Sequence, residues 1–397
     1  MRPKKSISYQ ELRDLISEQY LDDLAIKTKV DHSVSKLTGQ NMFSLLLYGL
    51  TSEKTVSLRI LEDVFTSPVL WAQHQQSAVR YSAISQRLAK MNPSYFREIF
   101  EHLNQEPKIE QWLDRKARRY LVKKFDSTIV TLSSKLLQHG LRVNPGKRDL
   151  KFSLGLTDGL PASLDLLTKQ TFASEDKALP KVMAKSQNQV KDDGQINVLL
   201  FDRGVHKKDT YDWITNELAS FFITRLSTQG FKVDEVQSQI KGRAAGQLIL
   251  ESDEVIHFET AKETREQKYR LVTARDPKTN QSYQFLTNIF FLNAVEISQL
   301  YKSRWEIETF FKFIKQHLSF SHLISRSING IKIQMYMTMI AAILIAIYKK
   351  INKVEGWLIA KMRFTRELEL HVIETFFEVL APLYGYSKNI SVPDNTS

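Results

Sequence analysis

The stretch that decides the reading is YKSRWEIETFFKFIK, residues 301–315. Set on an ideal helix of about 100° per residue with Glu308 at zero, Tyr301 falls at roughly +20°, Arg304 at roughly −40° and Lys315 at roughly −20°. A tyrosine, an arginine, a glutamate and a lysine therefore share one stripe about 60° wide. Ile307, Phe310, Phe313 and Ile314 point in other directions and supply apolar surface to anchor the helix. By itself such a stripe reads as readily as a solvent face, with Arg304 and Glu308 as an i,i+4 pair contributing ~0.2–0.5 kcal/mol. The rest of the chain has to decide between the two.

Two more carboxylates stand where chemistry would use them. Asp126 sits inside the strand-like run FDSTIV (125–130), although Asp is disfavoured in strand interiors and something must offset its cost. Asp202 ends the apolar run NVLLF (197–201) and precedes Arg203-Gly204. A strand-terminal Asp is frequent at ligand sites, and equally serves to start a turn.

Around these residues the pattern changes from helical to strand-like and back. Residues 1 to about 118 carry amphipathic helical runs, among them NMFSLLLYGL (41–50), SLRILEDVF (57–65) and SYFREIFEHLN (94–104), the last opening after Pro93. A basic cluster follows in DRKARRYLVKKFD (114–126), which suits a solvated helix face as well as a DNA contact. Strands are then expected over Tyr120–Leu132 and on both sides of the turn signal TDGLP (157–161). Helical spacing resumes at 209–219, strands dominate from about 233 to 290, one long helix is expected over 294–318, and an apolar helix over 331–350. The tail SKNISVPDNTS (387–397) has the composition of a disordered segment.

With 397 residues the chain has room for two or three domains, and its formal net charge of +12 favours polyanionic partners. There is no cysteine, which excludes disulfides, thiolate zinc sites and thiol nucleophiles. The apolar run Met335–Tyr348 falls short of the ~20 residues that a membrane-spanning helix needs and reads as a buried core helix, so no membrane partner is expected.

Tyr301, Arg304, Glu308 and Lys315 reproduce, gap for gap, the signature Tyr, two residues, Arg, three residues, Glu, six residues, Lys. Asp126-Ser127-Thr128 and Asp202-Arg203-Gly204 supply the two aspartate contexts that go with it. On these residues the chain resembles the DDE transposases of bacterial insertion sequences, in the insertion-sequence-four (IS-four) branch. The likeness runs from about residue 35 to 350, and SLRILEDVF and YSAISQRL look like that family's helical leader.

The resemblance implies an α/β fold: an RNase H-like catalytic core interrupted by a β-rich insertion, with a helical N-terminal domain. It implies DNA binding by residues 1–118, the core in two parts over 119–232 and 291–350, the insertion over 233–290, and a C-terminal helix and tail over 351–397. Asp126, Asp202 and Glu308 are the implied catalytic carboxylates. An all-oxygen donor set suits Mg²⁺, with Mn²⁺ as a substitute. Arg304 and Lys315 would hold backbone phosphates, Tyr301 a terminal phosphate, and Trp305 would stack on an extruded base. The implied partner is double-stranded DNA, as terminal inverted repeats and as target, handled by a homodimer on paired ends in the cytoplasm, at the nucleoid. His206 reads as a polar loop residue, Asp158 as a turn residue and Asp212 as a helix-surface residue. The segment GVHKKD (204–209) after the second Asp departs modestly from the family, and the short chain beyond 350 leaves a separate dimerisation domain in doubt. Neighbouring readings are an RNase H-fold nuclease that cuts without joining, and a non-catalytic repressor derived from a transposase, which would have no use for an intact triad.

Overall fold

Side-chain caps set where the first helices begin. Ser8 and Glu11 form a capping box at α1 (Tyr9–Arg13), and Ser17, Thr38 and Ser57 cap α2 (Glu18–Thr28), α3 (Gly39–Ser52) and α4 (Leu58–Phe65). Then come α5 (Pro68–His74), α6 (Tyr81–Lys90), α7 (Ser94–Gln105) and α8 (Pro107–Trp112), the last with proline in its first turn, where a missing N–H costs nothing. The computed structural model describes residues 5–74, 78–115, 118–132, 140–144, 147–189, 195–226, 230–261 and 263–380.

A mixed sheet is built on both sides of β1 (Tyr120–Leu132). On one side β3 (Lys147–Thr157) runs antiparallel to it, flanked by β2 (Leu141–Asn144) and β4 (Leu160–Leu167). β3 and β4 are joined through Asp158 and Gly159, at φ +55° and +78°, the left-handed pair that a two-residue hairpin requires. On the other side lie β5 (Ile196–Phe201) and β6 (Phe221–Arg225), both parallel, reached through α9 (Glu175–Gln189) and α10 (Lys208–Asn216). β5 is buried on both faces: Leu199 and Phe201 enter one apolar cluster, Val198 and Leu200 the other. The strands β7 (Phe231–Val236), β8 (Ala244–Ala245), β9 (Leu248–Thr260), β10 (Glu263–Arg275) and β11 (Ser282–Thr287) do not form a separate layer. β11 pairs with β6, and the described strands make one 11-stranded sheet. An antiparallel half meeting a parallel half at β1 is consistent with an RNase H-like core.

The long helix expected over 294–318 is two helices, α11 (Ala294–Lys302) and α12 (Trp305–His317). At the junction, Arg304 N bonds Tyr301 O at 2.9 Å, Glu306 N bonds Ser303 O at 3.1 Å and Ile307 N bonds Arg304 O at 3.1 Å. These tighter i→i+3 bonds turn the chain further per residue than an α-helix does.

The chain divides into two compact units, Asn104–Lys315 and, discontinuous in sequence, Arg2–Leu103 with Gln316–Ser397. The second holds α13 (Ile328–Ile351) and α14 (Trp357–Leu380) among the N-terminal helices, with α13 packed against α3, α6 and α14. At 24 residues α13 is longer than its apolar run and is long and apolar enough to cross a membrane, yet it is buried almost throughout. Its polar start is satisfied inside the unit: Gln334 donates to Ser319 O and His322 O and accepts from Ile324 N. The tail 387–397 lies outside the described residues.

Candidate active site

The parallel register of β1 and β5 runs from Tyr120 opposite Ile196 to Lys124 opposite Leu200. Carried two residues further, the same offset sets Asp126 level with Asp202, just past the end of β5. β1 continues on its other edge, where Asp126 pairs with Leu154. Asp126 is thus tolerated in a strand because its neighbour on one side has ended. Its Oδ1 accepts the Ser127 N–H at 2.8 Å. Burial nonetheless pushes its pKa up to about 6, and the charges of Glu175 and Asp202 add to the rise, against the Ser127 amide and Arg304.

Tyr301, near the end of α11, donates from its hydroxyl to Asp202 Oδ1 at 3.2 Å, and burial keeps that hydroxyl protonated. Arg304, in the junction, reaches three ways. Its Nη2 is 2.6 Å from Glu308 Oε1, its Nη1 4.0 Å from Asp126 Oδ2, and its guanidinium 5.7 Å from the centre of the Tyr301 ring. The i,i+4 pair of Arg304 with Glu308 therefore forms, but not on a solvent face, since Arg304 is only 5% exposed. Burial alone would lower the Arg304 pKa; Tyr301, Glu308 and Asp202 outweigh it and the value is raised. Lys315, one helical stripe along, is lowered by burial and held up in part by Asp126. The anchoring side chains Ile307, Phe310, Phe313 and Ile314 are all buried.

Trp305 opens α12 and is 65% exposed, at the rim of a groove of about 830 Å³. Arg225, Tyr283, Phe285 and Tyr301 also line it, with Arg225 stacked 4.8 Å over the Tyr283 ring. The start of α12 is tied to β1 by Lys124 Nζ and Glu306 Oε2 at 2.6 Å, two residues before Asp126 and two before Glu308. Gly159 makes room for this tie: a Cβ there would stand 2.8 Å from Glu306 Oε1.

Several side chains differ from their sequence reading. Four described members of the basic cluster are not a solvated helix face: Arg115 and Arg118 pair with Asp158, and Lys123 and Lys124 are buried in β1, while Arg119 stays exposed over the Tyr120 ring. Lys116 and Ala117 lie outside the described residues. Asp158 is accordingly more than a turn residue. Asp212, expected on a helix surface, accepts from Tyr269 Oη at 2.5 Å and Arg265 Nη1 at 2.6 Å. His206 is exposed in its loop, with Nδ1 3.1 Å from Asp176 Oδ2. Glu175, whose charge reaches Asp126, escapes sequence reasoning because an acidic residue opening a helix looks like any other helix start.

Comparison with known proteins bears on this cluster. Residues 158–344 match the Transposase DDE domain. That span includes Asp202, Tyr301, Arg304, Trp305, Glu308 and Lys315 and begins after Asp126. A protein of Synechocystis named as a transposase for insertion sequence element IS4SA is 24% identical over 288 residues, 72% of this chain and 77% of that one. One of Sinorhizobium fredii named as transposase y4zB is 30% identical over 159 residues, 39% of this chain, which spans 43% of that relative's length. One of Geobacillus stearothermophilus, named as a transposase for insertion sequence element IS5377, is 31% identical over 78 residues, 20% of each chain. Together the matches support a transposase of a transposable element.

DDE transposase domains generally depend on a divalent metal. The donors here are carboxylates, which suit a hard cation, and a cation beside Asp126 would offset the burial of its charge. Among the described residues no three acidic or histidine side chains stand ready to share an ion as they are. Glu308 is paired with Arg304.

Proposed function

We propose that the chain is a DDE transposase that cuts DNA at the ends of an insertion sequence and joins those ends to target DNA, with Mg²⁺ held by Asp126, Asp202 and Glu308. The observation that carries this reading is the register that sets Asp126 level with Asp202, with Glu308 held on the Arg304 that faces Asp126. Bound Mg²⁺ supplies charge neutralisation at the scissile phosphate and a more acidic attacking oxygen. In cleavage, water attacks phosphorus and the 3′-oxygen leaves as a hydroxyl. In joining, that 3′-hydroxyl attacks a target phosphate and the target's own 3′-oxygen leaves. Only the nucleophile changes, so one set of carboxylates serves both steps.

In this reading Arg304 balances the carboxylates of the free site, Glu308 would help hold the metal, and the planar fork of Arg304 suits a DNA phosphate. Lys315 approaches the same phosphates, Tyr301 fixes Asp202, and Trp305, already exposed, offers a stacking face to an unpaired base. Residues 1–118 serve DNA binding, 119–232 and 291–350 the catalytic core, 233–290 the insertion, and 351–397 the C-terminal helix and tail. Double-stranded DNA is the partner, paired ends are held by a homodimer, and the protein works in the bacterial cytoplasm, at the nucleoid.

The test is incubation with Mg²⁺ and a supercoiled plasmid carrying the gene with its native flanking DNA, beside a second plasmid as target. Excised ends joined to the second plasmid support the proposal. Cutting without joining would make the chain a nuclease, and the absence of both cutting and joining would overturn the enzymatic reading.

A further inference from the structure

Helix α9 opens on two acidic residues whose side chains hold the two segments that carry Asp126 and Asp202. Glu175 Oε2 accepts from Ser127 Oγ at 2.8 Å, and Ser127 is the residue whose N–H donates to Asp126. The same hydroxyl lies 2.7 Å from Ser153 Oγ on β3. Glu175 Oε1 is 2.8 Å from Lys151 Nζ, a buried ammonium that also donates to Ala173 O at 2.7 Å. The aliphatic part of Glu175 lies on Gly204, two residues past Asp202: a Cβ at Gly204 would stand 2.8 Å from its Cγ and 3.2 Å from its Cβ. Asp176 takes hold of the same loop further on, where its Oδ1 accepts from His206 N at 2.8 Å and Lys207 N at 2.9 Å.

We propose that Glu175 is a positioning residue for the reaction, bracing the strand of Asp126 against the loop of Asp202 so that the two carboxylates keep the spacing a shared divalent cation needs. The inference rests on the transposase reading. Glu175 acts through its neighbours: one oxygen accepts from the Ser127 hydroxyl and the other pairs with the Lys151 ammonium. Register alone brings the aspartates level, but β5 ends at Phe201, and past that point no ladder bond of β5 ties Asp202 to β1. The Glu175 side chain spans this gap. Gly204 is then required by the close approach of Glu175, since any larger residue would push the brace away.

The experiment is titration of the full chain with Mn²⁺, free ion being read by electron paramagnetic resonance, on wild type, Glu175→Ala, Glu175→Gln, Gly204→Ala and Glu175→Ala/Gly204→Ala. Removing a partner that orients ligands is expected to weaken Mn²⁺ binding by ~10–100-fold in Glu175→Ala, while Glu175→Gln, which keeps one acceptor and the packing on Gly204 but leaves the Lys151 ammonium without its charge partner, is expected to be affected less than Glu175→Ala. Gly204→Ala is expected to weaken binding in the same direction. The double variant should bind only slightly more weakly than Glu175→Ala, because the 2.8 Å approach to the Glu175 Cγ is gone and only the looser 3.2 Å approach to its Cβ is left. Thermal melting confirms that each variant is folded; should Glu175→Ala not fold, Ser127→Ala removes the same hydrogen bond from the other side. Equal Mn²⁺ binding by Glu175→Ala and wild type overturns this inference and leaves the transposase reading standing, as do single effects that multiply in the double variant. A wild-type chain that binds no Mn²⁺ even with duplex DNA carrying the gene's flank present overturns both.

Discussion

Asp253 and Arg270 form an ion pair sealed between β9 and β10, and replacing Asp253 by Asn tests how much of the fold depends on it. The pair is bidentate, Nε to Oδ1 at 2.7 Å and Nη2 to Oδ2 at 2.8 Å, with side chains 0% and 3% exposed. Asp253→Asn keeps the shape and removes the charge, leaving a guanidinium uncompensated out of reach of water. Breaking one partner of such a pair costs ~3–5 kcal/mol, which lowers the melting temperature of a unit of this size by roughly 6–20 °C. Arg275 and Glu251 on the same strand pair give the control: their contact is equally short at 2.8 Å, but the side chains are 45% and 36% exposed. Arg275→Gln is therefore expected to cost no more than ~1 kcal/mol. Arg270 also donates to Ile289 O and Leu292 O, just before the Asn293 cap of α11, so Asp253→Asn should disturb Tyr301 and slow DNA cleavage as well. Circular-dichroism melts of the three proteins decide the matter. If Asp253→Asn melts within about 2 °C of wild type, burial does not govern this pair and the reasoning fails.

Lys361 donates to Glu53 O at 2.9 Å and His317 O at 2.8 Å, and burial lowers its pKa to about 8. Between about pH 8 and its unfolded value near 10.4 the unfolded chain holds a proton that the folded chain lacks, so stability should rise with pH across that window. Urea midpoints should show the rise in wild type and not in Lys361→Met. Asp126 has the opposite sign of shift for an acid, raised to about 6, so its ionised form is penalised in the fold above that pH. In EDTA near neutral pH, Asp126→Asn should melt higher than wild type, by a gain of ~1–2 kcal/mol after allowing for partial exposure, while cleavage is lost. Trp305→Ala should leave stability within ~0.5 kcal/mol, since the side chain is 65% exposed, yet reduce cleavage of DNA ends by about ten-fold.

How far the sequence could be read depended on how local the cause was. NVLLF delivers Asp202 at the end of β5, and TDGLP turns β3 into β4, because an apolar run and an Asp-Gly turn are determined by neighbouring residues. Tyr301, Arg304 and Glu308 are contiguous enough for spacing to align them, and they do meet, though the helix breaks at Ser303 and Arg304. No residue type at the junction announces that break; it accompanies the docking of Tyr301 on Asp202 and of Arg304 between two carboxylates. The pairing of Arg115, Arg118 and Lys124 could not be read from the basic cluster because their partners, Asp158 and Glu306, are distant in sequence. Glu175 was illegible for the same reason: its contacts to Ser127, Lys151 and Gly204 exist only once four separate segments have packed.

The central claim, that Asp126, Asp202 and Glu308 are one catalytic set, is tested most directly by Mg²⁺-dependent cleavage of a supercoiled plasmid carrying the gene's flanking DNA, comparing wild type with Asp126→Asn, Asp202→Asn and Glu308→Gln. The account predicts cutting by wild type alone, lost in EDTA, with all three variants folded and still bound to the DNA. A folded Glu308→Gln that cuts as well as wild type would contradict it, and would return α12 to being a salt-bridged structural helix.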